Sequence, residues 1–260
     1  MDINKYVAIK RKLIDKALDR YLPASNAKPQ IIHKAMRYSV FPGGKRIRPI
    51  FTIAGFHACG GKDDSVMPVA CGIELVHSYT LVHDDMPCMD DDDCRRGKKT
   101  CHKKFGEGIA LLTGDGLLTL AFQVIAESGN IDVIKEISKA IGTRGIIGGQ
   151  AADILGKDKD IEYINLKKTA VLFEIAVKSG GIIKGASKRE INALGDFGRD
   201  MGLVFQLLDD LKDKDGYVKL YGAGRAKEKV EFLTKRAKRH LKIFGKKAEV
   251  LLKLAELICY

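Results

Sequence analysis

Acidic side chains crowd one short stretch of the sequence. Between Asp84 and Asp93, six of ten residues are aspartates, and Arg95 and Arg96 follow almost at once. Like charges at neighbouring positions repel and destabilise the fold that carries them unless something compensates them. Because Mg²⁺ typically binds through one or two carboxylates plus substrate phosphates, this stretch predicts a divalent-cation site at a phosphorylated ligand.

A second acidic group strengthens that prediction. Asp209 and Asp210 end the apolar run Met201–Leu208, and Asp213 comes four positions after Asp209. Residues four apart share a face of a helix, so Asp209 and Asp213 are predicted to lie side by side. A solvated acidic loop is the simpler alternative, but it leaves unexplained the apolar helical run that leads directly into the first cluster.

Basic residues lie near the first acidic cluster in sequence. Lys45 and Arg48 belong to the segment FPGGKRIRP, residues 41–49, whereas Arg95 and Arg96 follow the aspartates. Planar guanidinium groups bind phosphate oxygens in pairs, and the glycine pair before Lys45 would let backbone N–H groups approach a phosphate. These residues predict the other half of a phosphate-binding site.

Helices must position these side chains, because helical periodicity dominates the sequence and alternating β-type runs are almost absent. Gly-Gly pairs at 43–44, 60–61 and 180–181 predict sharp turns, whereas the pair at 148–149 lies inside an apolar helical pattern and predicts close approach of a neighbour. No repeat, linker or shift in composition marks a second domain, so we predict one all-α bundle over residues 1–260. The predicted helices are 3–22, 28–40, 46–59, 66–92, 107–127, 131–143, 146–155, 161–179, 188–213, 224–243 and 246–258.

The composition is typical of a soluble globular protein, since 45% of the 260 residues are hydrophobic and 30% are charged. The net charge of +12 suggests a polyanionic partner, but 14 basic against 5 acidic residues fall between Lys212 and Lys253, among aliphatic residues at helical spacing. That pattern is typical of a solvated helix face, and no base-reading motif accompanies it. We therefore expect no nucleic-acid partner.

The most apolar segment, Ile109–Ala126, is barely long enough to cross a membrane, and it carries Asp115 and two glycines at its middle. We predict a core helix there and no stable membrane insertion. The first twenty residues alternate charge with aliphatic side chains and lack the apolar core of a signal peptide. With six cysteines that form no CxxC pair, the sequence predicts a cytoplasmic protein without disulfides.

The sequence resembles the trans-polyprenyl diphosphate synthases, in particular the bacterial farnesyl and geranylgeranyl diphosphate synthases. The resemblance extends from about Ser39 to Asp213 and depends on seven motifs in the family's order, which is far more specific than one aspartate motif alone. The motifs are FPGGKRIRP (41–49), DDx4D with RRG (84–97), TCHKKFGE (100–107), LTGD (112–115), GGQAAD (148–153), KT (168–169) and FQLLDD with the third aspartate (205–213).

This resemblance implies the isoprenoid synthase fold, a helical bundle around a central apolar cavity with two facing aspartate motifs at its mouth. It implies the condensation of an allylic diphosphate with isopentenyl diphosphate, and a homodimer. By position, Asp84, Asp90 and Asp209 would hold three Mg²⁺ ions on the allylic diphosphate, with Asp85 and Asp213 as supporting ligands. Arg95 would contact that diphosphate, Lys45, Arg48, His77 and Arg96 would bind isopentenyl diphosphate, and Lys168, Thr169 and Gln206 would lie near the breaking C–O bond.

The expected chemistry follows from charge. Diphosphate leaves poorly unless its developing negative charge is neutralised, so metal and lysine are expected to act electrostatically at the departing oxygen. The double bond of isopentenyl diphosphate then attacks the allylic cation, and a proton is lost to the departed diphosphate. Apolar walls would exclude the water that quenches the cation.

Taken alone, several of these residues have ordinary structural explanations. His77 shares a helix side with Leu81, and a lone histidine there is more often a core residue. Lys168 and Thr169 would be unexceptional on a helix surface, and Gln206 could simply hydrogen-bond within the bundle. Only the motif context favours the functional interpretation.

Product length is predicted from the helix that carries Asp84. Tyr79 and Thr80 come about one turn earlier, at about 1.5 Å per residue, where short-chain members of the family tend to place a bulky ring as the floor of the cavity. The predicted product is C15 farnesyl diphosphate, with C20 geranylgeranyl diphosphate as the alternative. An ordinary core aromatic whose hydroxyl is satisfied elsewhere would also explain Tyr79.

One region departs from the family pattern. After Asp213 the family continues through a longer loop that contains a lysine, whereas here the chain passes almost directly into Tyr217, and roughly fifteen or more residues are absent. The connection 153–161 is also short. A true deletion would weaken closure over the phosphate, with Lys214 or Lys219 as the available substitute.

Three other functions stay open at this point. A catalytically weak subunit that regulates an active partner is favoured slightly by the short loop, although the intact aspartates argue against it. A terpene cyclase also uses aspartates and Mg²⁺, but it would have no use for the basic residues assigned to isopentenyl diphosphate. Nucleic-acid binding ranks last.

Overall fold

The structure is a computed structural model that describes residues 2–41, 43–156 and 160–259. Pro42 of the motif 41–49 and part of the short connection 153–161 lie outside the described residues. The prediction of an all-α fold is confirmed, because the described residues form fourteen α-helices and a single two-stranded hairpin. The hairpin, β1 Cys94–Arg95 and β2 Lys98–Lys99, is antiparallel and was not predicted.

Helix boundaries agree with the sequence at most positions. A π-helical segment, Asn165–Ala170, joins α9 to α10, and a 3₁₀ segment, Leu241–Ala248, joins α13 to α14. The α-helices are α1 Ile3–Tyr21, α2 Gln30–Val40, α3 Ile47–Ala58, α4 Met67–Asp84, α5 Cys101–Phe105, α6 Glu107–Ala126, α7 Ile131–Ile141, α8 Ile146–Leu155, α9 Ile161–Ile164, α10 Val171–Lys184, α11 Lys188–Asp213, α12 Tyr217–Tyr221, α13 Ala223–His240 and α14 Glu249–Cys259.

Two sequence predictions about these elements are wrong. The helix predicted to run to residue 92 ends at Asp84, because Pro87 and the repelling aspartates that follow cannot continue it. The turn predicted at 180–181 lies inside α10. There Gly180 serves packing, since a Cβ at this position would lie 2.2 Å from the carbonyl oxygen of Thr52 on α3.

The contacts of the chain group it into two units. Unit 1 comprises Met1–Lys5, Phe51–Val66 and Asn130–Tyr260, and unit 2 comprises Tyr6–Ile50 and Met67–Gly129. The expectation of a single domain over 1–260 stays a prediction.

Unit 2 is built around α4, most of whose residues are buried, so that it has no solvated face. Gly72 lets α6 pack closely against it, because a Cβ there would lie 2.3 Å from Cγ1 of Ile125. Among the described residues α6 is the one helix long and apolar enough to cross a membrane by length and composition, and 44% of its apolar window is buried. Its packing against α4 and α2 supports the predicted core helix.

Unit 1 is built around α11, which packs against α10 and α13. A capping box of Ser187 and Glu190 starts this helix, satisfying backbone N–H groups that otherwise lack partners. Phe51 packs edge-on against Phe173 and Phe197, with ring centroids 5.9 and 5.8 Å away. These contacts fix the long helix whose last two turns carry the second acidic group.

Candidate active site

The first acidic motif folds into a tight turn at the end of α4. The backbone N–H of Asp90 donates to the carbonyl oxygen of Asp84 at 2.9 Å, which brings the two predicted metal ligands to one turn. Asp91 has a left-handed backbone, with φ of 51°, and its carboxylate lies 3.9 Å from Nε2 of the buried His102. Lys103 binds Asp93 at 2.7 Å. Asp91 and Asp93, which are not predicted ligands, thus face compensating groups on α5.

Asp85 differs from its neighbours because it is almost completely buried. Burial raises the pKa of Asp85, and the guanidinium of Arg95 only partly offsets that effect. Nε of Arg95 donates to Asp85 at 2.5 Å, and its Nη2 donates to Asp92 at 3.0 Å. Arg95 therefore holds the acidic turn in shape, and the roles predicted for Asp85 at metal and for Arg95 at diphosphate stay predictions.

Arg96 is placed by the unpredicted hairpin. Arg96 and Gly97 form its two-residue loop, both with positive φ, 53° and 73°, as the type I′ turn requires. Nη1 of Arg96 donates to the carbonyl oxygen of Gly43, and a Cβ at Gly44 would lie 2.9 Å from the same Nη1. The RRG motif and the segment 41–49 therefore meet, as the predicted phosphate site requires.

His77 lies at the centre of these basic groups. Nη1 of Arg48 lies 3.4 Å from Nε2 of His77, and because a guanidinium can only donate, Nε2 is the acceptor. Burial, followed by Arg48, Arg96, Arg46 and Arg95, lowers the pKa of His77 well below its ordinary value. The ring is therefore neutral near pH 7, with its proton on Nδ1.

Tyr79 lies on α4 one turn before Asp84, as predicted. It is 5% exposed, and its hydroxyl is buried without a hydrogen-bond partner among the described residues. The ring meets His83 edge-on, and burial, with a smaller effect of Asp84, raises the pKa of Tyr79 to about 12. Thr80 instead donates to the carbonyl oxygen of His77 on its own helix, at 2.8 Å.

The π-helical segment of unit 1 carries Lys168 and Thr169. Two glycines admit it between neighbours: a Cβ at Gly149 of α8 would lie 2.5 Å from the backbone nitrogen of Lys168, and a Cβ at Gly202 of α11 would lie 2.5 Å from Cα of Ala170. The close approach predicted for 148–149 is therefore confirmed. π-helical turns are rare and occur often at functional sites.

Polar contacts then fix the side chains of Lys168 and Thr169. Nζ of Lys168 lies 2.9 Å from Asp153 of α8, while Thr169 donates to Oε1 of Gln206 at 2.7 Å. Nε2 of Gln206 donates to Asp210 at 2.9 Å, and the other oxygen of Asp210 accepts the N–H of Tyr217, also at 2.9 Å. Of the three residues that the sequence predicted to act together, Thr169 and Gln206 are in contact, whereas Lys168 pairs with Asp153.

The second acidic motif divides into two kinds of residue. Asp209 and Asp213 are exposed on one face of α11, as their spacing predicted, whereas Asp210 is buried. In the described parts of the chain no three His, Cys, Asp or Glu side chains converge into a ready-made metal site. The donors available are carboxylate oxygens in small groups, which fit Mg²⁺ because this ion usually completes its shell with substrate phosphates and water.

The sequence did not predict three polar residues that hold candidate site residues in place, namely Asp153, Asp210 and Arg46. Asp153 lies in the GGQAAD motif, whose presence was the available signal. Asp210 was predicted only as a member of the second acidic group, and its bond to the N–H of Tyr217 depends on the course of the loop after Asp213. Arg46 is bound by Glu74, 28 positions away, and nothing in the local sequence indicates that pairing.

Comparison with known proteins agrees with this geometry. A sequence profile described as polyprenyl synthetase matches residues 29–223. The chain belongs to the polyprenyl synthetase family. It is 40% identical to the large subunit 1 of a heterodimeric geranylgeranyl pyrophosphate synthase of Arabidopsis thaliana, over 100% of this chain and 79% of that protein. It is 39% identical to a farnesyl diphosphate synthase of Geobacillus stearothermophilus, over 93% and 92%.

Solved structures of this family show the same fold. A farnesyl/geranylfarnesyl (FPP/GFPP) synthase from Zymomonas mobilis matches with a TM-score of 0.93 at 32% identity, over 99% of each chain. A geranyltranstransferase from Thermotoga maritima matches with a TM-score of 0.84 at 30% identity, over 96% of this chain and 97% of that one. The predicted isoprenoid synthase fold is confirmed.

The alignments also bear on the shortness of the chain. The alignment with the Arabidopsis subunit spans 296 positions, whereas this chain has 260 residues, so at least 36 positions are gaps in this chain. The chain is therefore shorter than this relative within the aligned region. The placement of the largest gap after Asp213 stays a prediction.

Proposed function

We propose that this member of the polyprenyl synthetase family is a Mg²⁺-dependent trans-prenyltransferase that condenses dimethylallyl or geranyl diphosphate with isopentenyl diphosphate. The observation that carries the proposal is the set of guanidinium groups around a neutral His77, next to the turn that joins Asp84 and Asp90. Cations and carboxylates at such close quarters suit a ligand that brings both phosphate and Mg²⁺.

The basic residues of unit 2 are proposed to bind isopentenyl diphosphate. Arg48 and Arg96 offer guanidinium forks, and the exposed Lys45 adds a point charge. Because Nε2 of His77 accepts from Arg48, its Nδ1–H is the donor available to a phosphate oxygen. A neutral imidazole donates there without adding another positive charge to four arginines.

The carboxylates of Asp84, Asp85, Asp90, Asp209 and Asp213 are the proposed ligands of three Mg²⁺ ions. Bound Mg²⁺ would neutralise the charge that develops on the departing diphosphate of the allylic substrate. Asp85 accepts a hydrogen bond from Arg95 at 2.5 Å, so we assign it a supporting part. Arg95 is proposed to contact the allylic diphosphate while it holds Asp85.

Lys168 is proposed to stabilise the departing oxygen electrostatically, and the carboxylate of Asp153 fixes where its ammonium lies. The hydroxyl of Thr169 donates a hydrogen bond to Gln206, whose amide is oriented by Asp210. The oxygen of Thr169 therefore keeps its lone pairs for a neighbouring positive charge. That arrangement suits a reaction that passes through an allylic cation, which the apolar surroundings protect from water.

Farnesyl diphosphate is the proposed product, with geranylgeranyl diphosphate as the alternative, because both kinds of synthase occur among the relatives. The buried ring of Tyr79, whose hydroxyl makes no hydrogen bond to a described residue, supports its part as a floor. A hydroxyl that served only the core would be expected to find a partner.

We also propose a homodimer in the cytoplasm. The outer face of α6 supports self-association, since Leu111 and Leu112 are adjacent apolar side chains on it that are 47% and 53% exposed. Light scattering on the purified chain would measure its mass in solution. Leu112→Lys is expected to shift a dimer towards monomer, and an unchanged mass would contradict this interface.

A weakly active regulatory subunit is the second candidate, favoured by the gaps in this chain and by a relative that is one subunit of a heterodimer. One assay separates the candidates: the purified chain is incubated with dimethylallyl and isopentenyl diphosphates, with and without Mg²⁺, and the products are sized by chromatography. A Mg²⁺-dependent C15 product supports the proposal. Hydrocarbon formed from geranyl or farnesyl diphosphate in a parallel incubation without isopentenyl diphosphate indicates a terpene cyclase, and no product in either incubation indicates the regulatory candidate.

A further inference from the structure

One arginine of the segment 41–49 has no assigned part in binding, although it is the most deeply buried of the basic groups there. Arg46 is 3% exposed, whereas Lys45 beside it is exposed. Its φ is +51°, a left-handed conformation that is uncommon for a residue with a Cβ and persists only where the surroundings enforce it. Arg46 is therefore held in place by something stronger than the local sequence.

Three hydrogen bonds supply that restraint. Nε donates to Asp15 of α1 at 2.8 Å, Nη1 donates to Glu74 of α4 at 2.6 Å, and Nη2 donates to the carbonyl oxygen of Val40, the last residue of α2, at 2.7 Å. Glu74 is itself 2% exposed. Although burial alone would lower the pKa of Arg46, Glu74 and Asp15 outweigh it and raise that pKa. One guanidinium thus ties three helices together.

The backbone of Arg46 connects this hydrogen-bonded guanidinium to the residues proposed to bind phosphate. Its carbonyl oxygen accepts the N–H of Ile50 at 3.1 Å and so starts α3, whose first turn carries Arg48. Glu74 lies three positions before His77 on α4, and residues three apart are neighbours on a helix surface. The two partners in the contact between Arg48 and His77 therefore each lie within one turn of the ion pair between Arg46 and Glu74.

We propose that Arg46, held by Glu74 and Asp15, is the positioning residue that sets Lys45, Arg48 and His77 for isopentenyl diphosphate. The inference rests on the proposed function of that basic set. The charges of four arginines act on His77, and Arg48 lies 3.4 Å from its Nε2, so like charges would spread the cluster apart without compensation. Glu74 neutralises Arg46, as Asp85 neutralises Arg95, and this compensation lowers the repulsion that Arg48 and Arg96 experience when they bind one diphosphate.

The test is a comparison of Michaelis constants in the full-length chain with Mg²⁺. Arg46→Lys keeps the positive charge but cannot reach three acceptors with one ammonium group, and Glu74→Gln keeps the shape but removes the neutralising charge. Both are expected to raise KM for isopentenyl diphosphate roughly 10- to 100-fold, the usual effect of loosening a group that orients a ligand-binding residue. KM for the allylic diphosphate is expected to stay within about threefold.

Arg236→Lys is the matched control, because Arg236 also binds a buried carboxylate through two bonds, to Asp200 at 2.9 and 2.6 Å, in unit 1. It should lower Tm without changing either KM. If Arg46→Lys fails to fold, Asp15→Asn, which removes only the partly exposed partner, should still raise KM for isopentenyl diphosphate a few fold. Equal changes in both Michaelis constants, or none in a folded variant, overturn the proposal.

A second measurement keeps this proposal separate from the proposed function. If the wild-type chain does not turn over, calorimetric titration with isopentenyl diphosphate alone still compares Arg46→Lys with wild type. Weaker binding by the variant supports the positioning role even where catalysis is absent. Equal dissociation constants for the two proteins contradict it.

Discussion

In unit 2 the candidate residues are held by ion pairs to buried carboxylates, whereas in unit 1 they are held by close packing at glycines, by the half-buried ion pair of Lys168 with Asp153, and by hydrogen bonds that run to Asp210. Arg46 with Glu74 and Arg95 with Asp85 compensate crowded charges of unit 2. Gly149 and Gly202 instead let two helices approach the π-helical segment, where Thr169 bonds Gln206. A site that must gather many phosphates is costly to assemble because its own charges repel, so it needs counter-charges behind it. A site that must place a few groups at a reacting bond needs close, rigid packing.

The largest effect is expected from the carboxylates, which occur in both units. Asp84→Ala and Asp209→Ala should each lower kcat by roughly 10²–10³, the usual cost of losing one electrostatic group at a developing charge, and EDTA should abolish turnover. Product formation at saturating substrate measures this. Undiminished activity in either variant would remove that unit from the proposed metal site.

Packing in unit 1 offers the next test. Gly202→Ala places a Cβ 2.5 Å from Cα of Ala170, and such overpacking typically costs about 1–3 kcal/mol. Because the displaced segment carries Lys168 and Thr169, kcat should fall roughly 10- to 100-fold with little change in either KM.

Gly195→Ala on the same helix is its control. A Cβ at position 195 would meet its nearest neighbours at an ordinary 3.7 Å, so this variant should be neutral, or more stable by roughly 0.5–1 kcal/mol. Equal losses of activity in the two variants would show that the helix, rather than the close approach, matters.

A smaller, selective effect is expected from the two adjacent arginines of unit 2. Arg96→Ala, like Lys45→Ala, should raise KM for isopentenyl diphosphate about tenfold, more than for the allylic substrate, and Arg95→Ala should do the reverse. Initial rates with each substrate varied in turn decide this. Since Arg95 also holds Asp85, its variant should in addition lower kcat, and identical behaviour of the two variants contradicts the assignment.

Tyr79→Ala changes the product rather than the rate. Volume removed from a packed wall is not fully refilled, so the variant should lengthen products by one or more C5 units. The matched variant Thr80→Ala removes a smaller side chain that bonds its own helix, and it should shift product length less. A chromatogram of Tyr79→Ala that still shows only the wild-type length excludes Tyr79 as the floor.

The smallest effect concerns pH. Because the pKa of His77 is lowered in the folded chain, the unfolded chain binds more protons below about pH 6.5. The stabilising effect of the neutral ring is thus full above that pH and is lost as pH falls through it. Tm between pH 7.5 and 5.5 should fall less in His77→Gln than in wild type. Asp85, whose pKa is raised, makes the folded chain more stable as pH falls, which is the opposite effect. Asp85 is present in both wild type and His77→Gln, so its effect cancels in the comparison. Parallel Tm curves would contradict the assignment.

The sequence predicted those features whose signals are local. Helical periodicity placed α1, α6 and α11 to within a residue or two, and the aspartate spacing placed Asp209 and Asp213 on one face. The motifs brought Lys168, Thr169 and Gln206 into one prediction; the structure shows the contact between Thr169 and Gln206, and the functional roles of all three residues stay predictions. These features depend on neighbours along the chain or on an ordered series of motifs.

The features that escaped prediction depend on packing between distant segments. Gly180 reads as a turn locally, yet it lies inside a helix because Thr52 approaches it. Arg46 reads as one more basic residue, yet its partners lie 31 and 28 positions away. Periodicity predicts on which face of a helix a residue lies, but not which distant segment packs against that face. Buried ion pairs and tight helix contacts are therefore seen only in the folded chain.

The π-helical segment also constrains how this chain can change. Each residue of an α-helix turns about 100° from the last, and a π-helical turn accommodates one extra residue without unwinding the flanking helices. Deleting one residue from Asn165–Ala170 would therefore leave the sequence motifs nearly intact. It would nevertheless rotate Lys168 away from Asp153 or Thr169 away from Gln206. A homologue with that deletion would still match the family's motifs, but its side chains would point in directions that break one of these contacts. The length of this segment therefore tells as much about function as its composition does.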